Sequence, residues 1–127
     1  MPLVRIDLAQ GHPVEDGRDI GEVVYDAMRA TLNVPEGDRF QVITSHPAAE
    51  LAINPNYLGI ARTKDCILVQ VTLSEGRTLE QKRAFYRMIA DGLNKRFNLR
   101  REDVFINLVE VKKENWSFGN GEAQYAS

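Results

Sequence analysis

Apolar and polar residues alternate in Leu3-Val4-Arg5-Ile6-Asp7-Leu8 and again in Leu68-Val69-Gln70-Val71-Thr72-Leu73, the period of a strand with two unlike faces. After each of these runs the period changes. Ile20, Val23, Val24, Ala27 and Met28 recur at helical spacing and mark one apolar face, as do Phe85, Met88, Ile89 and Leu93. Residues 39–46 (RFQVITSH) and 104–111 (VFINLVEV) are rich in β-branched and aromatic side chains and predict two further strands. Thr78-Leu79-Glu80-Gln81 has the spacing of a capping box, which starts the second helix at Thr78.

The two strand–helix–strand series are copies of one pattern. With the chain shifted on itself by 65 residues, Leu3–Leu8 lies over Leu68–Leu73, Gly11 over Gly76 and Arg18 over Arg83. LNVPEGDRF at 32–40 then lies over FNLRREDVF at 97–105, sharing Asn, Asp and Phe. The reading is a single domain over 1–127, with pseudo-repeats at about 2–46 and 67–111. Each copy should be a crossover joining parallel strands. The predicted fold class is α/β: duplicated βαβ units in a two-layer sandwich, a four-stranded mixed sheet with both helices on one face. Residues 47–63 form a loop or short hairpin between the halves, and 112–127 form a tail that covers a pocket. The second face of such a sheet stays bare and calls for self-association.

Composition narrows the function. The net charge of −2 over 127 residues leaves no basic footprint for nucleic acid or an anionic membrane. No apolar run has spanning length and no basic segment precedes an apolar one, so the expected location is the cytoplasm. The single cysteine, Cys66 in KDCILVQV, reads as a buried thiol. His12 and His46 each precede a proline and lack cysteines or paired carboxylates at ligand spacing, so no metal site is expected.

Topology selects the candidate chemistry. Pro2 starts the first strand and Asp38 precedes the second, so parallel pairing puts both at one end of the sheet. If the two halves pair antiparallel about a pseudo-twofold axis, the end of strand 68–73, and Arg77 beyond it, approaches Pro2. Arg77 also precedes the Thr78 cap, where free N–H groups and the helix dipole favour anions, and its guanidinium is a planar carboxylate clamp. With Met1 removed, Pro2 carries a secondary amine, which desolvation and a nearby cation make less basic. An amine, a carboxylate and a carboxylate clamp suit proton transfer beside a carbonyl. From the residues alone, Asp38 reads first as a turn aspartate, because its repeat mate Asp103 stands where there is no amine. By the same standard, Trp116 and Phe118 read as core or interface, and Lys112 and Lys113 as solvated charges.

Pro2 leading a strand in a duplicated βαβ chain of this length resembles the tautomerase superfamily. VPEGDRFQ with Asp38, EGRTLEQK with Arg77 and NWSFGNGEAQY with Trp116 resemble its malonate semialdehyde decarboxylase branch. That resemblance implies a homotrimer whose sheets form a central barrel, no cofactor, and a small oxo acid as substrate. It implies Pro2 as the catalytic amine, Arg77 as carboxylate ligand, Asp38 as an orienting or activating group, and Trp116 with Phe118 as pocket lining. The implied reaction is decarboxylation to acetaldehyde and carbon dioxide, with hydration of acetylenic acids as a related ability. The alternatives are keto–enol tautomerisation of a 2-oxo acid such as phenylpyruvate, and a non-catalytic trimeric binding relative. Glu75 stands where some decarboxylases of this group have a second arginine, which leaves the substrate open.

Overall fold

The computed structural model describes residues 2–126, so Met1, whose removal the chemistry above requires, and Ser127, the end of the expected tail, lie outside the described residues. The chain runs β1 (Pro2–Ala9), α1 (Gly17–Thr31), β2 (Gln41–His46), β3 (Ile67–Ser74), α2 (Leu79–Phe97) and β4 (Val104–Val111). The strands form one sheet in the order β2-β1-β3-β4. β1 runs parallel to β2 and β3 parallel to β4, while β1 and β3 meet antiparallel at the centre. The duplicated mixed sandwich read from the pattern is the fold observed.

Alternation decides which face is covered. Val4, Ile6, Leu8, Val69, Val71 and Leu73 are at most 2% exposed and pack against Ile20, Val24, Met28, Phe85, Ile89 and Leu93 of the helices. Each fully buried aliphatic or aromatic side chain of this layer contributes roughly 1.5–3 kcal/mol. The intervening positions point away from the helices. There Leu3, Val42, Phe105 and Val109 remain exposed beside Arg5, Gln70 and Asn107.

The repeat is visible in backbone detail. β1 and β3 each span eight residues and start 65 positions apart. Asn33 and Asn98, aligned by the same shift, follow the two helices with φ of 55° and 56°. The left-handed conformation is cheap for asparagine and marks the end of each helix to within one residue. The Thr78–Gln81 capping box forms in both directions. α1 is capped differently, by the Asp16 side chain accepting from the Arg18 N–H. Residues 47–63 form no hairpin; they contain two single 3₁₀ turns, Ala48–Glu50 and Tyr57–Gly59.

Asp103 shows why that segment can remain irregular and still be fixed. It is 1% exposed and accepts from both the N–H and the Oγ1 hydroxyl of Thr63, at 2.7 and 2.6 Å. The turn aspartate of the second half therefore ties the linker down. Asp103→Ala removes the buried carboxylate that holds the Thr63 N–H and hydroxyl and should cost about 2–4 kcal/mol in urea unfolding, with kcat of the folded protein unchanged.

Candidate active site

Pro2 is buried and lies opposite Leu73 in the antiparallel register. Two residues on, the Val4 N–H donates to the Phe40 carbonyl at 2.9 Å, which sews the loop before β2 to the start of β1. Asp38 lies on that loop, two residues before Phe40, so Pro2 and Asp38 share one end of the sheet. The loop is held from α1 as well, because the Gly37 N–H donates to the Tyr25 hydroxyl at 2.9 Å.

Asp38 is half-buried, and its environment is mixed. Burial pushes its carboxyl above the ordinary range, while nearby positive charge, that of Arg77 included, pulls it down. A carboxyl raised on folding favours the fold fully below its unfolded pKa, and that contribution is lost as pH rises through the folded value. At neutral pH, ionised Asp38 therefore weighs against folding. Asp38→Asn should raise Tm at pH 7 and show no gain at about pH 3, readable by thermal denaturation at both values.

Arg77 is held by main-chain oxygens. Its Nε and Nη2 both donate to the Leu32 carbonyl at 3.1 Å, and Nη1 donates to the Ser74 carbonyl at 3.0 Å. Leu32 is the C-cap of α1, where the helix presents partial negative charge. The guanidinium thus bridges the end of α1 to the end of β3. A guanidinium has five N–H donors, so one on each terminal nitrogen is left for a ligand. Gly76 makes the turn possible with φ of 125°, a conformation that L side chains rarely adopt.

An open cleft of about 440 Å³ surrounds this arginine, lined by Ser74, Glu75, Gln81, Lys113 and Tyr125 among others. Pro2, Asp38, Trp116 and Phe118 do not line that cleft but connect to it. Pro2 pairs with the residue before Ser74, Asp38 feels the Arg77 charge, and the Trp116 Nε1–H donates to the Ser74 hydroxyl at 3.0 Å. Trp116 stacks on Phe118, and Phe118 meets Tyr125 edge-on, so the tail aromatics form a continuous row to the cleft. A groove of about 490 Å³ between α1 and α2, lined by Val23, Met88 and Gly92, touches none of these residues.

Sequence reasoning missed Ser74, Lys113, Tyr125 and Glu110. The Glu110 carboxyl is held below its ordinary range, mainly by the Lys82 ammonium at 2.6 Å, with the Gly76 N–H and Arg77 adding to it. Glu110 was a signal available in advance, since β3–β4 pairing sets it opposite Leu73, the partner of Pro2. His12 and His46 are far from this edge in role. His12 is buried and bonds the Asp65 carbonyl and the Val14 N–H, and His46 pairs with Asp7 at 2.6 Å on the open sheet face. Cys66 is fully buried, and burial pushes its thiol up to about 11.

The frame and this edge define a class: small α/β proteins of two βαβ units that gather a strand-leading proline, a loop carboxylate and a turn arginine at one end of the sheet. Two family models described as tautomerase enzyme match residues 38–119 and 2–61. Over 124 residues, the chain is 41% identical to the probable tautomerase YusQ of Bacillus subtilis (strain 168), covering 98% of both. FG41 malonate semialdehyde decarboxylase, inhibited by 3-bromopropiolate, superposes with a TM-score of 0.88 at 35% identity, over 97% of this chain and 93% of that one. A second malonate semialdehyde decarboxylase, described for decarboxylase and hydratase activities, gives 0.87 at 30% identity over 97% and 95%. The chain belongs to the tautomerase family and is an enzyme of that superfamily. No described helix is long and apolar enough to cross a membrane.

Proposed function

We propose that this enzyme acts on a small oxo acid through the Pro2 amine, and that its main reaction is decarboxylation of malonate semialdehyde. The observation carrying the proposal is the arrangement of Arg77: its guanidinium, oriented by the Leu32 and Ser74 carbonyls, keeps spare donors one residue beyond the strand partner of Pro2. Arg77 takes the substrate carboxylate and turns the bond to be broken into line with the carbonyl π system. Pro2 polarises the aldehyde in its cationic form, or in its neutral form attacks it and, with one proton taken up and water lost, gives an iminium. The carbon–carbon bond to the carboxylate breaks, and its electron pair enters the polarised carbonyl or iminium. Protonation at carbon, with hydrolysis where an iminium formed, releases acetaldehyde. The electron sink is made by the amine itself, so the reaction needs no cofactor. Asp38 orients water or substrate, and the Trp116–Phe118 stack keeps bulk water from the reacting carbon. The two decarboxylases among the structural neighbours support this reading.

The 41% relative named as a probable tautomerase supports a second reading, in which neutral Pro2 shuttles a proton between oxygen and carbon of a 2-oxo acid such as phenylpyruvate. The experiment is an NMR titration of the Pro2 amine, paired with turnover of both substrates. A pKa above neutrality with acetaldehyde formation is expected; a value of about 6 with phenylpyruvate turnover alone would replace decarboxylation by tautomerisation.

The same proposal includes a cytoplasmic homotrimer closed through the bare sheet face that carries Leu3, Val42, Phe105 and Val109. Light scattering should give about 43 kDa, three times the 14.4 kDa chain. A 14 kDa species at working concentration would reject the trimer.

A further inference from the structure

We infer that Ser74 is a substrate-binding donor, its hydroxyl hydrogen aimed by Trp116 into the Arg77 cleft. The inference rests on reading that cleft as the oxo-acid site. Ser74 ends β3, is 5% exposed, and lines the cleft beside Arg77. Its two polar groups have separate duties. The carbonyl accepts from Arg77 Nη1 at 3.0 Å, and the hydroxyl oxygen stands 3.0 Å from Trp116 Nε1.

The chemistry of the indole fixes the sense of the second bond. An indole N–H donates and cannot accept, so the Ser74 oxygen must be the acceptor. The hydroxyl hydrogen is then turned away from the indole, and no described group takes it. A buried hydroxyl whose donor is unspent, on the wall of a cleft beside a guanidinium with spare donors, is suited to an anionic oxygen. Arg77 and Ser74 would together hold one carboxylate, the arginine by charge and the serine by direction. Trp116 acquires a positioning role through Ser74, distinct from its packing on Phe118.

The test uses the full chain and malonate as a non-reacting carboxylate, with affinity read by calorimetry. Ser74→Ala should weaken malonate binding about 10-fold or more, the worth of a hydrogen bond to a charged group, and raise KM for the oxo acid similarly with kcat less affected. Ser74→Thr keeps a hydroxyl and should recover most of the loss. Trp116→Phe keeps an aromatic ring beside Phe118 while removing the N–H and part of the indole, and leaves the Ser74 hydroxyl in place, so it should weaken binding less than Ser74→Ala does. Trp116 is the single tryptophan of the chain, so its emission reports directly whether the Ser74→Ala site keeps its shape. Wild-type affinity in Ser74→Ala overturns the inference. Equal losses in Ser74→Ala and Trp116→Phe also overturn it, since Ser74 would then act only by holding the indole. A wild-type protein that does not bind malonate overturns it as well. If malonate binds and follows this series while no oxo acid turns over, the proposed activity fails and the assignment of Ser74 stands.

Discussion

Pro2→Ala should lower kcat on the preferred oxo acid by about 100-fold or more, the lower end of what a positioned acid–base group contributes. The variant keeps a terminal amine once its methionine is removed, so the loss measures what the ring adds. Proline fixes its own φ, and the ring is buried against the Leu73 pairing at the head of β1. Alanine at the same place has a primary amine, free to rotate and more strongly hydrated. Its position is no longer held by the ring. Because the binding groups are untouched, KM should change much less than kcat. Steady-state kinetics on protein of verified intact mass reads both. An unchanged kcat would instead show that the Pro2 amine is not the reacting group.

Arg77→Ala should raise KM by about 100-fold, through loss of a charged clamp on the carboxylate. It should also destabilise the free enzyme by roughly 2–4 kcal/mol, since hydrogen bonds to a charged group are worth about 1.5–3 kcal/mol each. The second effect follows from the carbonyls of Leu32 and Ser74, which lose their donor when the guanidinium goes. The end of α1 and the end of β3 would separate, and Asp38 would lose a cation that lowers its carboxyl. Arg77→Lys divides the two roles. A lysine keeps the charge but cannot span both carbonyls and a ligand with one ammonium. It should recover part of the KM and little of the stability, as urea unfolding and kinetics on the same preparations would show.

The frame was legible because it follows from periods. The alternation in Leu3–Leu8 and Leu68–Leu73 fixed which side chains face the helices, and the shift of 65 made the two halves predict each other. Pro2, Asp38 and Arg77 were legible as neighbours because strand direction alone assigns ends. The contacts of Arg77 were not. Its position before the α2 cap suggested a place at that helix N-terminus, whereas the side chain turns to the C-cap of α1, a choice made by tertiary packing. Ser74 and Tyr125 were illegible for the same reason, since nothing local in LSEGR or QYAS announces a partner more than forty residues away, as Trp116 is from Ser74. Asp38 and Asp103 are the instructive pair. Equivalent in sequence, they diverge in use, because only Asp103 meets the linker at Thr63.

If the free amine of Pro2 is the reacting group, blocking it abolishes turnover with no side chain changed. Two preparations of the same chain would be compared by intact mass and by turnover of malonate semialdehyde and phenylpyruvate: one beginning at Pro2, the other retaining Met1 so that the Pro2 nitrogen is an amide. Turnover confined to the preparation beginning at Pro2 is the predicted result. Equal turnover by the two would show that the Pro2 amine takes no part in the reaction.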